Sequence, residues 1–181
     1  LRRSLLTGLP LESAWGNIAA FDFLYISRLH ARQLVAPTLG VDRPEGGSAP
    51  GGLVMAPRPG LYRNVFVFDF NSLYPSIIRT LNIDPLCYIR AKQSYGEPLI
   101  TAPNGASFVR ETGILPTILE QLFASRDEAK ASGDELASFT YKIVMNAFYG
   151  VLTTGACRFA SAQVAGAITH FGHYILRWAR D

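Results

Sequence analysis

Residues 65–78 read VFVFDFNSLYPSII, and no other stretch limits the possible folds as strongly. Positions 65–68 are an unbroken apolar run of β-branched and aromatic residues, which predicts a strand buried on both faces. The run ends on Asp69. An unpaired carboxylate at the mouth of a buried strand is costly, so Asp69 needs a cation, a metal or a ring of donors. Asn71 and Ser72 are both good N-cap residues, and Pro75 is tolerated in a first helical turn. The strand is therefore expected to pass directly into a short helix through Leu81, with Pro85 limiting its far end.

In that arrangement the unpaired N–H groups of residues 72–74 form an anion site beside the Asp69 carboxylate. A metal-binding carboxylate next to a phosphate cradle is what metal-assisted phosphoryl or nucleotidyl transfer requires. The alternative is a strand, a capping turn and an Asp in a salt bridge, and the local pattern leaves both readings open.

The rest of the composition narrows the class. In 181 residues, 49% apolar, there is enough hydrophobic surface for a sizeable core in one or two domains. Seventeen Lys and Arg against fourteen Asp and Glu permit an anionic partner without requiring one. Cys87 and Cys157 show no metal-ligand spacing, so neither a zinc site nor a disulfide framework is expected, and a reducing cytoplasm fits. No signal peptide or apolar run of membrane-spanning length is seen, so no membrane partner is expected.

Taken in order, residues 4–13 read as an opening loop. Residues 16–32 form an amphipathic helix on Ile18, Phe21, Leu24, Tyr25 and Leu29, with Arg28 and Arg32 on its solvated face. Residues 37–60 hold five prolines and six glycines and are expected to be a long connection, with a short edge strand at 53–55. Residues 86–113 alternate short apolar runs with turn residues, which predicts an antiparallel sheet whose strongest hairpin signal is Asn104-Gly105.

Beyond Gly113 the period becomes helical. Ile118, Leu119, Leu122 and Phe123 form one stripe, Ser132-Gly133-Asp134 breaks it, and Asp134 caps a second helix to about Leu152. Helices joined so briefly fold into an antiparallel hairpin. Arg126 lies as far before the turn as Lys142 lies after it, each about 12 Å from the tip at a rise of about 1.5 Å per residue. With Lys130 one turn beyond Arg126, and Asn146 and Tyr149 continuing the Lys142 face, a cluster of three cations and an amide is expected. An ordinary amphipathic pair with its charges in water, balanced by Glu128 and Glu135, is the competing account. Against it, Lys142 and Asn146 interrupt the otherwise apolar KIVMNAFYG.

Residues 157–181 carry a further helical pattern on Phe159, Val164, Ile168, Phe171, Ile175 and Trp178, and the chain ends inside it, which suggests a longer parent. His170 and His173 are three apart, but without a third ligand they read as ordinary helix histidines.

These residues carry a resemblance. DFNSLYPSII is similar to motif A of the family-B DNA polymerases and KIVMNAFYG to their motif B, in the same order, with GILPTILEQLFASRDEAK between them. TGLPLE, GGLVM, RPGLY, SIIRTLNIDP and GVLTTGACRFA resemble the bacterial DNA polymerase II branch, so the likeness covers nearly the whole chain. It implies an α+β fold: a partial polymerase palm, with an antiparallel sheet and packing helices, plus a two-helix fingers hairpin. Residues 1–64 are then a packing helix and a linker into the palm, 65–112 the palm with motif A, 113–152 the fingers with motif B, and 153–181 the return into the palm.

The resemblance also implies roles. Asp69 matches the aspartate that coordinates both catalytic Mg2+ ions, and the Phe70 carbonyl a backbone ligand. Ser72, Leu73 and Tyr74 match the turn that holds the triphosphate, and Tyr74 the ring that excludes a ribose 2′-hydroxyl. Arg126, Lys142 and Asn146 match fingers residues that meet the incoming dNTP, Lys142 counting as catalytic, and Lys130 joins this cationic set. Tyr149 and Gly150 match the pair beside the template and nascent base pair. Implied partners are primer-template DNA, dNTPs, the exonuclease, palm and thumb segments of a parent chain, and a sliding clamp, in a cytoplasmic, nucleoid-associated setting.

Departures temper the match. No DTD sequence of motif C occurs, so the second carboxylate ligand lies outside this chain and primer extension by the chain alone is not expected. Ala49 replaces the usual Tyr of a linker YxGG motif, and Thr153 stands where the branch generally has Gly. A non-catalytic nucleotide- or DNA-binding module is the alternative function; a metal-dependent phosphohydrolase is a third, requiring more carboxylates around Asp69.

Overall fold

A computed structural model describes residues 1–39, 50–94 and 96–180. Ala49 lies outside the described residues. The fold is mixed but mostly helical: seven helices and one two-stranded antiparallel sheet among the described residues. They are α1 (Arg2–Thr7), α2 (Asn17–Ala31), α3 (Leu73–Thr80), α4 (Pro85–Gln93), β1 (Ile100–Thr101), β2 (Ser107–Phe108), α5 (Ile114–Ala131), α6 (Glu135–Thr153) and α7 (Ala162–Arg180).

Helices α5 and α6 form the expected hairpin, turning at Gly133 with φ +73° while the Asp134 carboxylate caps α6 at the Ala137 N–H (2.9 Å). Helices α2, α3 and α7 pack around this hairpin. Phe21 and Tyr25 of α2 stack at 5.3 Å, Phe148 of α6 meets Phe21 edge-on, and Phe159 closes against Tyr25 at 4.6 Å. Ile77 and Ile78 of α3, Leu115, Ile118 and Leu119 of α5, and Val164 and Ile168 of α7 complete the same core.

Four expectations are corrected. The segment 65–68 is neither a strand nor buried: Val65, Phe66, Val67 and Phe68 are 65%, 81%, 89% and 91% exposed. A strand buried on both faces needs a neighbour to share its ladder, and no described segment pairs with this one. No strand forms at 53–55 either. The run 86–89 belongs to a helix, because Asp84 caps it by accepting from the Leu86 and Cys87 N–H groups, and Pro85 opens it instead of closing α3. The expected sheet shrinks to one hairpin, Ile100 opposite Phe108, around Asn104 and Gly105 (φ +83°).

The opening loop contains α1, which Gly8 ends in the left-handed conformation and an Arg2–Asp134 ion pair (2.6 Å) ties to the α5–α6 turn. Arg32 is exposed, as expected of a solvated face, and Arg28 is half-buried. Arg28 donates to Gln121 of α5 at 2.7 Å and Arg32 to the Thr112 carbonyl, so both tie α2 to α5 and its approach. Both cysteines are buried and neither is in a disulfide, and no helix among the described residues is long and apolar enough to cross a membrane.

Candidate functional site

The site forms where the N-terminal turn of α3 faces the α5–α6 hairpin. Ile77 and Ile78 anchor α3 in the core, while Ser72, Leu73 and Tyr74 at its start are half-buried. Ser72 precedes that turn with φ 51° and ψ 58°, a left-handed conformation uncommon for a residue with a β-carbon. Its hydroxyl does not cap the helix, unlike the N-cap role expected of it.

The Ser72 hydroxyl instead accepts from an Nη of Arg126, at 3.2 Å. Arg126 continues the apolar stripe of α5, after Leu119, Leu122 and Phe123 and before Ala129, all buried. Its stem therefore lies in the core while the guanidinium reaches α3. It is only 9% exposed, and its buried Nε–H has no acceptor among the described residues. An unpaired buried donor of this kind is uncommon.

Lys142 and Asn146 stand one turn apart on α6, exposed, with no hydrogen bond or ion pair among the described residues. They line, with Asp69, Phe70, Asn71, Ser72, Leu73, Tyr74, Pro75 and Arg126, a cleft of about 430 Å³. Asp69 is exposed at its lip. Sequence reasoning thus named eight of these ten as site residues; Asn71 entered only as a cap and Pro75 only as a helix residue.

Three other candidates lie elsewhere. Lys130 is outside the cleft and pairs with Asp127 at 3.6 Å. Tyr149 packs its ring on Tyr74 at 4.6 Å, just behind the cleft, and burial, then the neighbouring Tyr74, raises its phenol above the ordinary range. Gly150 lines a separate depression with Gly16 and Asn17.

The donors at the lip are a carboxylate and a carbonyl, all oxygen, and among the described residues no group of three or more His, Cys, Asp or Glu could hold a metal. His170 and His173 hydrogen-bond the Gly166 and Gly51 carbonyls instead. An oxygen set of this size suits a hard divalent ion that completes its shell with water and substrate phosphates.

One acid, Asp69, and two cations, Arg126 and Lys142, line one cleft between a left-handed turn and a helix hairpin. The chain belongs to DNA polymerase family B, whose family model matches residues 20–181, and within it to the bacterial DNA polymerase II branch. It is 46% identical over 178 residues to the DNA polymerase II of Escherichia coli, covering 98% of this chain and 22% of that protein. It is also 37% identical over 140 residues to the DNA polymerase alpha catalytic subunit of Drosophila melanogaster, covering 70% of this chain and 9% of that one. The chain therefore spans under a quarter of the length of these relatives.

Proposed function

We propose that the chain is the nucleotide-binding portion of a DNA-directed DNA polymerase. In this reading residues 65–112 and 153–181 are palm, residues 113–152 are the fingers, and primer-template DNA and dNTPs are the substrates. The observation that carries it is the shared cleft: the Asp69 turn on one side, Arg126, Lys142 and Asn146 on the other.

Each residue then has a task. Arg126 and Lys142 neutralise the triphosphate, Arg126 through its planar fork of N–H donors. The backbone N–H groups at the start of α3 add donors to the same phosphates. The Tyr74 ring, braced by Tyr149, closes the sugar side and disfavours a 2′-hydroxyl by sterics. Asp69 and the Phe70 carbonyl would hold Mg2+, which when bound polarises the α-phosphate and assists attack by a primer 3′-hydroxyl. Lys142 stabilises the charge that accumulates during that attack. With Asp69 the one carboxylate lining the cleft among the described residues, the chain is expected to bind nucleotide but not to extend a primer appreciably by itself.

Titration calorimetry of the chain with dATP, with and without Mg2+, tests this reading. Saturable binding strengthened by Mg2+ and weakened at least tenfold in Lys142→Ala is expected, since one good charged contact is worth about 1.5–3 kcal/mol. Indifference of the chain to dATP under both conditions would remove the proposal.

A further inference from the structure

The base of α5 rests on a buried carboxylate that the nucleotide site does not use. Asp84 is fully buried, and four donors converge on it. Its Oδ1 accepts from the N–H groups of Leu86 (2.8 Å) and Cys87 (3.0 Å), which caps α4. Its Oδ2 accepts from the N–H of Leu115 in the first turn of α5, at 2.8 Å. The Tyr25 hydroxyl donates to both oxygens at 3.0 Å from α2. One side chain thus caps two helices at once and is pinned by a third.

Two residues earlier, Asn82 does the same for the chain entering α5. Its Nδ2 donates to the carbonyls of Val109 (2.7 Å) and Glu111 (2.8 Å), and its Oδ1 accepts from the Gly113 N–H at 2.8 Å. Gly113 shows how close the contact is. A β-carbon there would lie 2.6 Å from Asp84 Cβ and 3.0 Å from Cys87 Sγ, so only glycine lets α5 start at this point.

We infer that Asp84, supported by Asn82, is a positioning residue for the nucleotide site, fixing the direction of α5 and through it the place of Arg126. The inference rests on the reading of the cleft as a nucleotide site. From Leu115 to Arg126 the helix rises about 16 Å, so a tilt of about 10° at the base carries the guanidinium about 3 Å. Displacements of about 1 Å at such a site can cost about a hundredfold. A capping carboxylate whose two oxygens serve different helices sets an angle, not merely a distance, between them. Any rotation of the hairpin against α3 must pivot at these contacts or break them.

Asp84→Asn tests the device, because the amide keeps the shape but has one acceptor oxygen for two helix starts. Spin labels at Gln93→Cys on α4 and Glu128→Cys on α5, both exposed, report the angle between the helices, while buried Cys87 and Cys157 stay unlabelled. The expected result is a shifted or broadened label distance and at least tenfold weaker dATP binding in a variant that still unfolds cooperatively. An unchanged distance in the folded variant overturns the inference. If Asp84→Asn does not fold, Gly113→Ala decides, since its methyl forces the α5 base off Asp84: a displaced helix with weakened binding sustains the inference, and an undisplaced helix or undiminished binding overturns it. Failure of the unaltered chain to bind dATP counts against the nucleotide-site reading alone and leaves the label distance to judge whether Asp84 sets the helix angle.

Discussion

The guanidinium of Arg126 donates to the hydroxyl of Ser72 at 3.2 Å, across 54 residues of sequence, and so closes the α5–α6 hairpin onto the turn before α3. The same arginine keeps a buried Nε–H with no acceptor among the described residues. It is half satisfied: one donor holds the turn and the Nε–H is left unpaired.

Arg126→Lys follows from that geometry. A lysine keeps the charge but loses the planar fork, so it can reach either Ser72 or a phosphate but not both in parallel. Affinity for dATP is expected to fall about tenfold, as for loss of one charge-assisted hydrogen bond, with a melting temperature close to that of the unaltered chain. Calorimetric titration beside thermal denaturation separates the two quantities.

The buried network around Asp84 makes the fold sensitive to alkali. Burial first, and then the Asp84 carboxylate, pushes the Cys87 thiol up from 9.0 to about 12 and holds the Tyr25 phenol well above its usual value of 10.0. Both groups bind their proton more tightly folded than unfolded. Their contribution is therefore fully present below pH 9 and is lost as pH rises toward 12, as the unfolded chain releases protons the folded one retains. Urea unfolding midpoints should fall steadily between pH 9 and 11. In Cys87→Ala the decline should be shallower, and a slope identical to that of the unaltered chain would show that Cys87 is not responsible.

Tyr74 and Tyr149 touch at 4.6 Å between ring centres, which fixes the Tyr74 ring at the edge of the cleft. If that ring excludes a 2′-hydroxyl by contact, then Tyr74→Ala should narrow the preference for dATP over ATP severalfold while Tyr149→Phe, which retains the ring, leaves it unchanged. Competition binding of the two nucleotides to each variant provides the ratio directly.

Periodic and local signals in the sequence translated well, and signals that depend on distant partners did not. The α5–α6 hairpin was legible because its stripe, its Ser-Gly-Asp break and its cap are all local. The meeting of Arg126 with Lys142 and Asn146 followed from counting residues along it. Helix α4 is hidden because the apolar run 86–89 fits a strand equally well, although Asp84-Pro85 is a helix-start signature. Lys130 shares a face with Arg126 but sits one turn nearer the tip, where nothing covers it, and it turns to Asp127. The ties from Asn82 and Asp84 to α2 and to the start of α5 have no local signal, since their partners at Tyr25 and at residues 109–115 are far away in sequence. The segment 65–68 failed for the same reason: composition states that a run could be buried, but not whether a neighbouring strand is there to bury it.

That segment yields the last expected outcome. Four large apolar side chains in succession, each at least 65% exposed, form an apolar strip of the kind that associates with other chains. If Val67 were inside a sheet, Val67→Asp would bury an unpaired charge and unfold a chain of ordinary stability. At 89% exposure the same change should alter stability by less than about 0.5 kcal/mol. It should also raise the concentration at which the chain stays monomeric, because a charge on the strip opposes association between copies. Sedimentation velocity over a concentration series, together with urea unfolding, measures both. A large loss of stability in Val67→Asp would mean that this strip is covered in solution, and the exposed apolar run beside Asp69 would have to be abandoned.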